Sequence, residues 1–544
     1  MSKRDIEAIY PLSPQQTGML LESLAVPGSG IHVEQVAATL EGDLDVGLFT
    51  EAWQRLVQRH PVLRTAFVWQ DQEEPLQLVL RRVEVPLERE DWSDVPDEET
   101  PARLAAFLEA DGRRDFKPSK APLMRVHLLC AGPRLHHLVW THHHILMDGW
   151  CRPLVLHELV ETYAALAAGR EPRLAPTRPY RDFVKWLGER DPVASEAFWR
   201  ESLAGFTHPT PLGRPASDGT PRVGGHGGVK LRFGPEETRV LESVARARHL
   251  TASTLAQGAW ALALAWASGE NEVVFGVTVS GRPEELDGIE GSIGLFINTL
   301  PLRVEVPPGE GLLPWLESLQ RKNLELRRHE HVSAGQIHQW SEVPGSLPLF
   351  ESLLVFENYP ADPAEGDGDR PELPLRIRRT SAAGGRTRHP ITLMVVPGER
   401  LAISLVHDRA RVPRAAAEAL AGAFADLLRA IVEESDRDLA SLLGRLEGKA
   451  PPELPAGDRG EREARPVAAP RSSTEQMLAV LWGEVLGLRP VGIDEDFFRL
   501  GGHSMAAAEL IAVVRRAFDL ELPLRTLFEH PTIEELAAEI ARRK

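Results

Sequence analysis

Around residue 140 the chain passes through apolar, aromatic and β-branched positions, Leu138-Val139-Trp140-Thr141, and then reaches three consecutive histidines, His142, His143 and His144. Residues of that kind in a short run predict a strand over 137–144. Side chains alternate between the two faces of a strand. His144 is therefore expected on one face with His142, Trp140 and Leu138, and His143 on the other with Val139 and Thr141. Asp148-Gly149 reads as a turn, after which Leu154, Leu156, Leu159, Val160 and Tyr163 recur at helical spacing. The stretch is thus predicted as strand, turn, helix, with three imidazoles and a carboxylate at its centre.

The same reading gives the surrounding elements. Phe49, Ala52, Trp53, Leu56 and Val57 fall on one face of an amphipathic helix, which Pro61 cannot continue. Met124, Val126, Leu128 and Cys130 alternate, predicting a half-buried strand beside the histidine strand. The Gly- and Pro-rich segment 211–229 reads as a loop. An apolar helix over 252–267 leads into a continuous apolar run from Glu272, expected to be a buried strand that ends at Gly281-Arg282-Pro283. After residue 448 the composition shifts to Pro, Ala, Gly and mixed charge, as in a solvated linker. Helical signals resume at Ser473-Thr-Glu-Gln476 and again at Thr532-Ile-Glu-Glu535, both capping-box patterns.

Composition narrows the function classes. A length of 544 residues suggests two to four domains. The balance of 62 basic against 79 acidic residues gives a formal charge of −17, which argues against a nucleic-acid footprint. Cys130 and Cys151 are the only cysteines, too few for a disulfide framework. The N-terminus lacks the apolar core of a signal peptide, and the longest apolar stretch, Leu255 to Ala267, is too short to span a bilayer. A cytoplasmic protein with no membrane partner is expected.

His143-His144-Ile-Leu-Met-Asp148-Gly149 resembles the HHxxxDG signature of nonribosomal peptide synthetase condensation domains. Other stretches resemble further motifs of that family, in family order. They are Tyr10 to Leu20, the RHxxLRTxF run from Arg59 to Phe67 that contains Arg64, Tyr180 to Trp186, and the GxFxNTxxxR run from Gly294 to Arg303 that contains Asn298. Pro348 to Glu351 and Arg388 to Leu393 complete the series. A second resemblance follows. Asp496-Phe-Phe-Arg-Leu-Gly501-Gly502-His503-Ser504 is similar to the carrier-protein signature, whose serine takes a phosphopantetheine arm.

These resemblances imply an α/β fold of two chloramphenicol acetyltransferase-like lobes arranged as a V, then a small four-helix carrier bundle. The expected domains are an N-lobe over 1–177, a C-lobe over 178–449, a linker over 450–471 and a peptidyl carrier over 472–544. The implied activity is amide bond formation between a donor thioester on an upstream carrier and an acceptor amine tethered to a carrier. His144 is assigned to orienting or deprotonating the amine. His143 and Gly149 are expected to support it, the glycine by allowing close backbone approach. Asp148 is expected to hold the loop by an ion pair, with Arg282 as its candidate partner, or else to orient His144. Arg64 is expected to pin helix to sheet, and Asn298 is given a supporting role. Ser504 would carry covalent 4'-phosphopantetheine, and the N-terminus of the helix it opens would favour the phosphodiester.

Alternative readings are a CoA-dependent acyltransferase, which shares HxxxD, an epimerisation domain, and a catalytically silent platform that recruits partner enzymes. The intact histidine motif argues against the last. A zinc reading of His142, His144 and Asp148 lacks a further histidine partner or a cysteine pair, so no metal is expected. Cys151 is read as a small, partly buried residue at a helix start rather than a catalytic thiol. Only the 22 residues of 450–471 stand where an adenylation domain would be expected. Ser504 is therefore expected to be charged by an adenylation enzyme acting in trans, after priming by a phosphopantetheinyl transferase.

Overall fold

The computed structural model describes residues 3–25, 30–69, 74–212, 214–215, 225–344, 347–357, 375–383, 389–433, 436–454, 468–486, 491–497, 500, 504–518 and 520–543. The chain groups into two compact units. One comprises Met1–Arg190, Gly281–Ile297 and Tyr359–Gly385, and the other comprises Asp191–Ser280, Asn298–Asn358 and Arg386–Lys544. The units are discontinuous, so a single cut near residue 177 does not reproduce them. The first runs on to Arg190 and takes back two later segments. The reason lies in strand pairing: Leu375–Ala383 lies antiparallel on Val33–Gly42, from Leu375 opposite Gly42 to Ala383 opposite Gln35. No local pattern announces a pairing of that sequence separation.

In the first unit a five-stranded sheet has the order Leu375–Ala383, Val33–Gly42, Leu135–His143, Met124–Cys130, Leu87–Asp91. The strand Met124–Cys130 is buried along its whole length, where alternation predicts a half-buried one. As an interior strand it is covered on both faces: Met124, Val126 and Leu128 join the main core, while Leu129 packs with Trp92 and Val139. The predicted amphipathic helix spans Val46–Arg59 and is N-capped by Asp45, whose side chain accepts the N–H groups of Gly47 and Leu48. It buries Phe49, Ala52, Trp53, Leu56 and Val57, with Trp53 against Trp140 of the histidine strand at 5.6 Å between ring centroids. Arg64 donates to the Val57 carbonyl at 3.1 Å, to Glu7 at 2.8 Å and to the Leu80 carbonyl, tying the end of this helix to a three-stranded sheet of Ile6–Pro11, Leu76–Leu80 and Thr65–Val68.

The second unit has a six-stranded sheet. Its order is Asn298–Glu305, Glu272–Val279, Ser352–Phe356, Ile391–Val396, Ala402–Asp408, His226–Arg232. The last strand corrects the loop expected over 211–229. His226–Arg232 pairs along Ala402–Asp408, and Gly227 is required there because a Cβ would stand 2.2 Å from the His407 ring. The apolar helix spans Ala252–Ser268 and is almost wholly buried. His389 stacks on Phe350 at 5.1 Å, so the last two motif matches meet in space.

Four helices, Ser473–Leu486, Ser504–Phe518, Arg525–Glu529 and Ile533–Arg543, share a hydrophobic cluster of their own around Trp482, Phe497, Leu510, Val514 and Ile540. Their first cap lies one residue earlier than the pattern predicts. Ser472 accepts the Glu475 N–H at 3.1 Å, and the Glu475 carboxylate reaches back to the Arg471 N–H at 2.6 Å. The Thr532–Glu535 box forms as expected, with reciprocal contacts of 3.2 and 3.3 Å.

Candidate active site

The histidine strand stops at His143 rather than His144. His144 begins a turn, in which the Met147 N–H donates to the His144 carbonyl at 3.2 Å. The His144 N–H donates to the His32 carbonyl at 2.7 Å. His32 has a φ of 61°, uncommon for a residue with a Cβ. His144 is thus aimed by a turn and not by strand alternation, although alternation holds for its neighbours: His142 packs on Trp140 at 4.8 Å, while Thr141 donates to Asp111 at 2.6 Å.

Adjacent imidazoles are held in opposite tautomers. The Ile145 N–H donates to Nδ1 of His143 at 3.0 Å, so the ring proton of a neutral His143 is on Nε2 and donates to Ser23 Oγ at 3.0 Å. Ser23 in turn donates to the Met19 carbonyl at 2.8 Å. His143 therefore has no lone pair to offer a substrate. The Nδ1 of His144 lies 2.9 Å from the Met147 carbonyl, which can only accept, so Nδ1 carries the proton and Nε2 keeps its lone pair. The His144 side chain is 17% exposed. Of the two, only His144 is arranged to act as a base.

Glu34, on the strand Val33–Gly42, stands in register with His142. One of its oxygens is 3.5 Å from His144 Nε2, and the other accepts from Arg152 at 2.5 Å. Burial alone would raise the Glu34 carboxyl. The Arg152 guanidinium, followed by the His144 and His142 rings, more than offsets this and holds it well below the usual carboxylate range. Neither Glu34 nor Arg152 stands out in the sequence. The available signal is a charged residue inside the strand-like run Val33-Glu34-Gln35-Val36.

His142 is fully buried, and burial pushes its imidazole down to about 4. Between that value and the ordinary 6.5 the unfolded chain binds more protons at this site than the folded one, so stability should fall as pH drops through the interval. Melting curves at about pH 7 and about pH 5 should show a smaller loss for His142→Gln than for the parent. An equal loss would assign the acid sensitivity elsewhere.

Asp148 is the buried anchor of the turn. Arg282 donates to it through both terminal nitrogens at 3.0 and 3.1 Å, and the backbone N–H groups of Phe296 and Ile297 add contacts of 2.9 and 3.2 Å. With every lone pair engaged, Asp148 fixes the loop and does not touch His144 in the contacts of the described residues. Gly281 makes this possible: its φ is +60°, and a Cβ would lie 1.8 Å from the Phe296 carbonyl. Cys151 opens the helix Cys151–Ala167, is fully buried, and lies against Asp148 and Gly294; burial pushes its thiol far above the ordinary range, which removes it as a nucleophile. The Gly149 carbonyl accepts the Arg152 N–H at 3.2 Å. Gln16, from the opening motif, donates to the Ile145 carbonyl at 3.2 Å and so braces the same turn.

Asn298 belongs to the second unit. Its amide donates to the carbonyls of Glu330 and Val332 at 2.7 and 2.6 Å and so holds that turn. Gly294 to Ile297, the start of the GxFxNTxxxR run, form no strand; instead the backbone of Phe296 and Ile297 donates to the Asp148 carboxylate. Ser504 is the first residue of the helix Ser504–Phe518, and Gly501, Gly502 and His503 lie outside the described residues. A serine at the N-terminus of a helix of this length fits a phosphodiester attachment, since the helix dipole favours an anion there. Among the described residues no group of three or more His, Cys, Asp or Glu is arranged to hold a metal ion, and no helix is long and apolar enough to cross a membrane.

Residues 6–446 match the family model of the condensation domain, and residues 476–540 match that of the phosphopantetheine attachment site. Chondramide synthase cmdD of Chondromyces crocatus is 37% identical over 485 residues, 80% of this chain and 12% of that protein. Tyrocidine synthase 2 of Brevibacillus parabrevis is 32% identical over 446 residues, 81% of this chain and 12% of that protein. The chain thus spans a small fraction of the length of these relatives. Among solved structures, the X-domain from teicoplanin biosynthesis is similar with a TM-score of 0.65 and 25% identity, covering 79% of this chain and 96% of that one. A four-domain nonribosomal peptide synthetase bound to AMP and glycine is similar in fold, with a TM-score of 0.66 at 19% identity, covering 94% of this chain and 39% of that one.

Proposed function

From the premise that this chain belongs to the condensation-domain family and carries a phosphopantetheine attachment domain, we propose that it joins a donor acyl or peptidyl thioester to an acceptor amine. The observation that carries this reading is the tautomer pair: His143 is committed to Ser23 and Ile145, while His144 keeps Nε2 free to take a proton. 4'-Phosphopantetheine, when attached at Ser504, supplies the thiol on which a substrate is held as a thioester.

The chemistry then asks for one proton to be moved. The amine nitrogen bonds to the thioester carbonyl carbon, the carbonyl π pair moves to oxygen, and the nitrogen becomes cationic. His144 Nε2 takes one N–H proton. When the C–S bond breaks, the imidazolium returns that proton to the thiolate. The Met147 carbonyl favours this cycle by holding Nδ1–H throughout, so protonation always occurs on the substrate side. Holding amine and carbonyl in a near-attack geometry supplies a further part of the rate.

Residues 472–544 are read as the carrier and 450–471 as its linker. Residues between the two family matches are too few for an adenylation domain. We therefore assign charging of Ser504 to an adenylation enzyme in trans, priming to a phosphopantetheinyl transferase, and donor delivery to an upstream carrier, in the cytoplasm. The attachment domain disfavours a CoA-dependent acyltransferase. The test is intact-mass analysis of the holo-protein mixed with a loaded donor carrier: an amide product on the arm supports the reading, and its absence across a panel of aminoacyl acceptors rejects it. Ser504→Ala should remove the mass increment of priming completely; an increment retained in that variant would place the arm elsewhere.

A further inference from the structure

The contact between His144 and Glu34 poses a chemical question. When His144 is neutral with its proton on Nδ1, as a base must be, its Nε2 is an acceptor 3.5 Å from Glu34 Oε1; when the ring is protonated the same contact is an ion pair. Two acceptors that close repel each other unless a donor group engages both. Glu34 is only 5% exposed, and its other oxygen is occupied by Arg152 at 2.5 Å, so the carboxylate cannot turn away without breaking a buried ion pair. The His144 Nδ1 contact with Met147 likewise fixes the ring. Two acceptors are therefore fixed side by side at 3.5 Å, close enough for one nitrogen to lie within hydrogen-bond reach of both.

Resting on the amide-forming reading above, we propose that Glu34 contacts the acceptor and that the site is built for a primary amine. One N–H is received by His144 Nε2 and the second by Glu34 Oε1, which points the nitrogen lone pair at the donor carbonyl. As the C–N bond forms, the first proton passes to His144, and the carboxylate then faces an imidazolium. The second proton stays on the amide nitrogen. A secondary amine has a single N–H and can satisfy only one of the two acceptors.

The test uses the full-length holo-protein with Ser504 carrying either an alanyl or an N-methylalanyl arm, and a separate donor carrier charged with N-acetylalanine. Product formation is followed by intact mass under single turnover. In Glu34→Gln/Arg152→Gln, which leaves no unpaired buried charge, the alanyl rate should fall by about 10–100-fold, as for loss of a hydrogen bond to a charged group. The N-methylalanyl rate should fall by less than about threefold. Glu34→Asp keeps the charge and its pairing with Arg152 but withdraws the oxygen, and should show the same selectivity; it carries the test if the double variant fails to fold. Equal losses for both acceptors, or no loss for either, would overturn the role of Glu34 while leaving the amide-forming reading intact. A parent protein inactive with both acceptors would count against that reading itself, and this inference would fall with it.

Discussion

Replacing His144 with alanine should slow amide formation by about 10²–10⁴-fold, the usual range for removing a general base, and leave priming of Ser504 unchanged. The expectation follows from the lone pair on Nε2, since no other imidazole of the histidine run has one that a substrate could reach. His143 spends both ring nitrogens on Ser23 and Ile145, and His142 is fully buried. The His144 side chain contributes one hydrogen bond of its own, to Met147, so the variant should lose no more than about 1 kcal/mol of stability. Single-turnover rates measured alongside melting curves separate the two effects. Full activity in this variant would leave positioning as the whole of catalysis and remove His144 from the proton path.

Asp148→Asn should behave differently, losing stability and activity together. Asp148 is fully buried and accepts from Arg282, Phe296 and Ile297. Neutralising it strands the Arg282 guanidinium, itself 8% exposed, without its counter-charge. Breaking a buried pair on one side costs about 3–5 kcal/mol, a large share of the stability of an ordinary domain. Activity should fall because the turn that aims His144 hangs on the same anchor: the Asp148 N–H donates to Gly294, and Met147 immediately precedes it. Replacing both partners, as in Asp148→Asn/Arg282→Met, should recover part of the stability, since no unpaired charge remains. Denaturant midpoints decide this. A double variant no more stable than the single one would show that the backbone contacts to Phe296 and Ile297, and not the ion pair, carry the energy.

Much of this arrangement is legible in the residues. The helix around Trp53, the strand before the histidines, the carrier helices and the pairing of Asp148 with Arg282 follow from periodicity, cap signals or family motifs. Three features of the fold are not. Strand alternation puts His144 on the face of His142, but the strand ends at His143 and a turn takes over. Ser472 replaces Ser473 as the first carrier cap, because two adjacent serines offer the same chemistry and only the chain path selects one. His226–Arg232 is a strand despite its glycines, because an edge strand beside Ala402–Asp408 needs room at Gly227 for the His407 ring.

The sequence by itself singled out His144 and Ser504 as the side chains expected to carry the chemistry, since residue type and local spacing are written in consecutive positions. Only the tertiary structure decided which nitrogen of His144 is free and what faces it. Those facts depend on the Met147 carbonyl across a turn and on Glu34 from a strand more than a hundred residues away. A tautomer is fixed by the partner of the opposite ring nitrogen, and pairing between distant strands leaves no periodic trace in either of them.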